Sequence, residues 1–150
     1  MKFAARISIF GGRDISEQTY AETVELGRLM ARENWLVFCG GAEGVMEAIA
    51  KGVSGEGGVC IGILKEQDPG SGNPYLTIPI ATALGVGRNA LLAYNCDVAV
   101  AVSGQYGTLS EIAYALQLGK PVVGYKSWPV EGVVNAVSVE DIIKQVKSIL

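Results

Sequence analysis

DVAVAVSGQYGTLSEIAYALQLGKPVV, residues 97–123, contains a strand, a loop, a helix and the opening of a second strand. Asp97 to Val102 is a short valine-rich run, the pattern of a strand covered on both faces. Ser103, Gly104, Gln105, Tyr106 and Gly107 supply small, turn-permitting residues, and from Thr108 the apolar period becomes helical. Leu109, Ile112, Ala113, Ala115, Leu116 and Leu118 give that helix a broad apolar face, Gly119 ends it, and Pro121 opens a strand over Val122 to Tyr125. A glycine-rich loop thus stands at a helix entrance, where unpaired main-chain N–H groups and partial positive charge favour a phosphate. Thr108 adds a hydroxyl donor. Thr108 and Glu111 also have the spacing of a capping box, in which both side chains only satisfy the helix terminus, so two readings of the loop stand open.

The same alternation recurs outward from this unit. Arg6 to Phe10 reads as a first strand, with Gly11 and Gly12 turning out of it, and Ser16 caps a helix from Glu17 to about Asn34. Tyr20, Val24, Met30 and Ala31 form that helix's expected inner face. Trp35 to Cys39 is a second strand, followed by Gly40, Gly41 and Gly44 and an apolar helix face of Val45, Met46, Ala48, Ile49 and Val53. Val59 to Leu64 is a third strand. Lys65 to Tyr75 has turn composition and no core face, which predicts an exposed, mobile loop. Leu76 to Ala81 predicts a short strand, Arg88 to Asn95 a helix, and Val133 to Val137 a short edge strand. Ser138 with Asp141 caps a last amphipathic helix, Val139 to Leu150. Strands alternating with helices over residues 1–150, with no boundary, predict one α/β domain: a Rossmann-like, doubly wound, mainly parallel sheet with helices on both faces.

Composition removes several functions. Formal net charge is −3 and Lys and Arg are scattered, which leaves no footprint for nucleic acid. No apolar run approaches the ~20 residues of a membrane helix. The first ten residues lack the apolar core of a secretory signal, so the cytoplasm is the expected compartment. With no histidine in the chain, a Ser/His/Asp triad, a Cys/His dyad and a His-ligated zinc site are excluded, and no metal site is expected. Cys39, Cys60 and Cys96 lack Cys-x-x-Cys spacing and lie in or beside apolar runs, as buried reduced thiols do.

In a doubly wound sheet ligands sit beyond the carboxyl ends of the strands. Gly11/Gly12, Gly40 to Gly44 and Gly104 to Gly107 all leave such ends and are expected to line one crevice. None is a dinucleotide fingerprint, and no Walker motif occurs. Close packing of helix on strand accounts equally well for Gly40, Gly41 and Gly44.

Two stretches together, Gly40-Gly41-Ala42-Glu43-Gly44-Val45-Met46 and Ser103-Gly104-Gln105-Tyr106-Gly107-Thr108-Leu109-Ser110-Glu111, resemble the LOG family, also called lysine decarboxylase-like, and its related molybdenum-cofactor carriers. The resemblance in element order covers nearly the whole chain. Its typical enzymes are phosphoribohydrolases that cleave the N-glycosidic bond of cytokinin nucleotides, with a P-G-G-x-G-T-x-x-E motif and an Arg-Lys pair upstream. It implies a phosphate grip by Gly104, Gly107 and Thr108, Glu111 as the catalytic acid and Arg88 as the catalytic arginine. Ser103 stands for the motif's proline, Gln105 for its second glycine, Asn89 for the lysine and Val86 for a histidine, departures that bring the chain nearer the short carrier branch.

Chemically, a carboxylate such as Glu111 can stabilise a cationic sugar and orient water, and the fork of Arg88 can hold phosphate or ribose. A salt bridge between Arg88 and Glu111 is the structural alternative. Nothing singles out a Schiff-base lysine for decarboxylation. The implied functions are two: hydrolysis of a nucleoside monophosphate, or noncatalytic carriage of a phosphate-bearing cofactor such as the molybdenum cofactor as cargo. No cofactor is required by either, and the resemblance implies a homodimer or higher homo-oligomer.

Overall fold

Residues 2–150 are described by a computed structural model. Its centre is the parallel pair β1 (Ala5–Gly11) and β5 (Val98–Val102), joined in register from Ile7 opposite Val98 to Gly11 opposite Val102. Beyond β1 lie β2 (Trp35–Cys39), β3 (Cys60–Leu64) and β4 (Ile78–Ala81); beyond β5 lie β6 (Val122–Tyr125) and β7 (Val134–Asn135). All seven strands are parallel, in the order β4-β3-β2-β1-β5-β6-β7. The chain winds outward from β1 to β4, then returns to β5 and winds the other way. The doubly wound α/β sheet expected from the sequence is present.

Among the described residues five α-helices cover the two faces: α1 (Glu17–Arg32), α2 (Val45–Gly55), α3 (Asn89–Tyr94), α4 (Tyr106–Gln117) and α5 (Val139–Ile149). Leu26 and Met30 of α1, Ile49 and Val53 of α2, and Ile142 and Val146 of α5 bury one face with Ile7, Ile9, Val37 and Val100. Leu92 of α3 and Ile112 and Ala115 of α4 close the other over Phe10, Phe38 and Ala99. Both faces being covered, β2 and β5 are buried at every position, which is why they read as unbroken apolar runs.

Several boundaries move for local reasons. Gly11, expected in the turn, extends β1. The first helix ends at Arg32, and Asn34 takes a left-handed φ of 59° to enter β2. Its buried face is Thr19, Thr23, Val24, Leu26, Gly27 and Met30, while Tyr20 and Ala31 are only half-buried. The shift follows from close α1–α2 packing: a Cβ on Gly27 would lie 2.6 Å from the Ile49 carbonyl oxygen. The helix expected over Arg88 to Asn95 forms as Asn89–Tyr94, and a 3-10 turn, Gly85–Arg88, leads into it and takes in Arg88. The Ser138/Asp141 cap forms as expected, Ser138 Oγ accepting from Asp141 N at 3.0 Å and Asp141 Oδ2 from Val137 N at 2.9 Å. The segment 65–75 is largely exposed but pinned at Asn73, which donates from its main chain to Gly41 O (2.8 Å) and from Nδ2 to Ala42 O (3.0 Å). The three cysteines are buried and free. Among the described residues no helix is long and apolar enough to cross a membrane.

Candidate functional site

The reversal of winding between β1 and β5 opens a cleft at their carboxyl ends, where two loops leave neighbouring strands without covering each other. The loop after β1 and the loop after β5 meet there: a Cβ on Gly12 would lie 3.2 Å from Gly104 Cα. The cleft encloses about 300 Å³, at the lower end of ligand-site sizes.

One wall is the first turn of α4. The helix begins at Tyr106, and its N-cap, Gln105, makes no side-chain capping bond, so the capping box that Thr108 and Glu111 might have formed is absent. Both residues lie inside the helix and are buried, and both line the cleft with Gln105 and Gly107. The first-turn N–H groups lack intrahelical partners and carry the positive end of the helix dipole.

The opposite wall is Arg88, 8% exposed. Nη1 donates to Gly40 O (2.6 Å) and Ile63 O (2.7 Å), and Nε donates to Asn89 Oδ1 (3.1 Å). Asn89 in turn donates from Nδ2 to Ser110 Oγ (3.1 Å), so α3 holds the arginine and α4 together. Among the described residues no ion pair joins Arg88 to Glu111. Glu111 is 7% exposed, and burial pushes its pKa up to about 8 against the opposing pull of the Arg88 charge. Burial likewise lowers the pKa of Arg88, an effect countered by Glu111. A guanidinium remains charged at any physiological pH. At neutral pH the cleft therefore holds a fixed cation beside an uncharged carboxyl.

Of the residues expected at a site, Gly11, Gly12, Arg88, Gln105, Gly107, Thr108 and Glu111 come together on the cleft. Gly40, Gly41 and Gly44 lie beneath it in packing positions. A Cβ on Gly40 would strike the Arg88 guanidinium, one on Gly41 (φ 79°) the Leu64 side chain, and one on Gly44 (φ 67°) the carbonyl oxygens of Gly12 and Arg13. The loop Gly40 to Gly44 does not line the cleft; Met46, in the first turn of α2, does. Ser103 takes a left-handed φ of 53° and its carbonyl accepts from Ser127 Oγ at 2.7 Å, while Gly104 and Tyr106 face a neighbouring depression and solvent.

Arg13, Asp14 and Lys65 also line the cleft, and the sequence reading gave them no role. Their one signal was position, each a charged residue within a few places of a strand's carboxyl end. Arg13 pairs with Glu43 at 3.4 Å on the rim. With Arg13, Lys65 and Arg88 facing Asp14 and an uncharged Glu111, the cleft is cationic in a chain of net charge −3.

Known proteins share this fold. The molybdenum cofactor binding protein of the phototrophic bacterium Rippkaea orientalis superposes with a TM-score of 0.92 at 31% identity, over 99% of this chain and 98% of that one. The molybdenum cofactor carrier protein of Chlamydomonas reinhardtii gives 0.87 at 31% identity over 96% of both. A protein of Oryza sativa subsp. japonica described as the probable cytokinin riboside 5′-monophosphate phosphoribohydrolase LOGL9 is 34% identical over 128 residues, which are 78% of this chain and 56% of that longer protein. A family model covers the chain from residue 4 to residue 149, from the start of the sheet to the end of α5. The chain belongs to the SLOG cluster4 family.

Proposed function

We propose that the cleft carries a phosphate-bearing small molecule without hydrolysing it, and that this cargo is the molybdenum cofactor or a compound of its chemical class. The observation that carries this reading is the commitment of Arg88 Nη1 to the Gly40 and Ile63 carbonyls while the buried Glu111 stands apart with no ion pair. Glycosidic cleavage through a cationic sugar uses an ionised carboxylate beside the sugar as well as a protonated acid at the leaving base. A Glu111 that keeps its proton at pH 7 lacks that charge but can hydrogen-bond a polar ring. The free N–H groups of α4 and the Thr108 hydroxyl suit a phosphate, and Arg13 and Lys65 add attraction for an anion. The likeness to both molybdenum-cofactor proteins, over nearly their full lengths, supports the same cargo class. The hydrolytic reading keeps two supports of its own, the presence of Arg88 and Glu111 on a single cleft and a raised Glu111 pKa of the kind a catalytic acid has.

The test is retention. The purified protein, incubated with the molybdenum cofactor and passed through a desalting column, should hold it stoichiometrically, and Thr108→Val should lower retention with little change in Tm. A protein that neither retains the cofactor nor gains thermal stability from it would overturn the reading. Self-association belongs to the same proposal: Tyr94 of α3 is 61% exposed beside Leu91, and Tyr94→Glu should shift the mass measured by light scattering to that of a monomer.

A further inference from the structure

Beside the cleft, on the far side of Gly104, lies a second depression of about 280 Å³ formed by Gly104 and Lys126 to Pro129. The loop containing Gly104 and Gln105 borders both, Gln105 lining the cleft and Gly104 the depression. Gly12 backs Gly104 from the cleft side, and Gln105 lines the cleft while its carbonyl accepts a hydrogen bond from Trp128 Nε1 at 2.9 Å. That bond fixes the Trp128 ring. Tyr106, 79% exposed, lies against it with ring centroids 6.0 Å apart and planes 29° from parallel. Tyr106 is thus held at the surface, where the fold gains little from it, against a half-buried Trp128 that packs on the core beneath α4. Lys126 puts an ammonium on the same wall, tied to Glu22 at 2.7 Å.

We infer that this depression is a subsite for a nucleobase, joined through phosphate to the group in the cleft, so that the protein accepts dinucleotide-type ligands as well as simple phosphate monoesters. The inference rests on the reading of the cleft as a phosphate site. The phosphates then lie over Gly104 and the start of α4, between the residues that line the two hollows. A glycine there keeps the dividing wall low, and its φ of 111° gives a side chain no unstrained place. The base stacks on Trp128 in the depression, with Tyr106 against that ring at its edge, and stacking tolerates any base because every base has a π face.

The test compares AMP with diadenosine 5′,5′-diphosphate by titration calorimetry and by tryptophan fluorescence. Trp35 is buried, so quenching reports Trp128. The dinucleotide should bind about tenfold more tightly than AMP and quench emission where AMP does not. Tyr106→Ala, which leaves the Trp128 bond to Gln105 intact, should erase the difference and leave AMP affinity unchanged. Trp128→Phe, which keeps a ring but removes the bond, should preserve most of it. Equal affinities for the two ligands in the wild type would overturn the subsite while leaving the cleft reading in place. If Tyr106→Ala and Trp128→Ala weaken both ligands equally, the rings only brace the loop and the inference fails. If neither nucleotide binds, the subsite falls, and the cleft reading stands or falls on cofactor retention.

Discussion

Arg88 Nη1 lies 2.6 Å from the carbonyl oxygen of Gly40, and the missing side chain of Gly40 is what admits the guanidinium. The glycine at the end of β2 and the arginine before α3 form one device, forty-eight residues apart in sequence. Gly40→Ala should therefore cost about 2–4 kcal/mol in denaturant unfolding, through steric overlap and lost hydrogen bonds, and should release Arg88 from its fixed position. A calorimetric comparison with Gly55→Ala, whose Cβ has open space and whose φ is likewise not left-handed, separates that clash from the general effect of adding a methyl.

Glu111 makes stability depend on pH in an unusual direction. Its folded pKa, near 8, lies above the ordinary glutamate value, so between roughly pH 4.5 and 8 the folded state binds the proton and the unfolded state does not. This contribution is fully present below the unfolded pKa and is lost as pH rises through 8. Its size is on the order of 3–5 kcal/mol. Glu111→Gln should flatten the stability profile across that window; a profile with the same slope in both proteins contradicts a neutral Glu111.

Two glycines near the cleft should respond oppositely to alanine. Gly44→Ala drives a methyl into the carbonyls of Gly12 and Arg13 from a left-handed backbone and should destabilise by about 2 kcal/mol or more. Gly107→Ala meets nothing within 4 Å inside α4 and should stabilise by about 0.5–1 kcal/mol. Thermal unfolding of the two variants reads both signs.

Lys65 should act through charge rather than shape. Lys65→Gln removes one cation from the cleft wall and should weaken a phosphate-bearing ligand about threefold to tenfold, with a shallower dependence of Kd on salt. Equal salt dependence in variant and wild type would remove Lys65 from the recognition.

The legible parts of the molecule were those with local signals. The valine run from Val98 to Val102, the Ser16 and Ser138 caps and the Gly119–Pro121 stop are written in adjacent residues, so the strands, helices and doubly wound order follow from pattern alone. The Thr108/Glu111 spacing left two readings open because a capping box and a buried helix face share the same interval; the start of α4 at Tyr106 separates them. Nothing near Gly40 announces that its partner is Arg88, and nothing near Lys65 announces the cleft, since both placements come from how β2 and β3 lie beside each other. The resemblance brought Arg88 and Glu111 forward together, and their separation without an ion pair is a tertiary fact no spacing encodes.

Release of free base most directly tests carriage without hydrolysis. The wild-type protein and Glu111→Gln, each incubated with a panel of nucleoside monophosphates and resolved by chromatography, should release no base at pH 7 while the wild type retains the molybdenum cofactor. Base released by the wild type and not by Glu111→Gln would contradict the account and make the protein a phosphoribohydrolase.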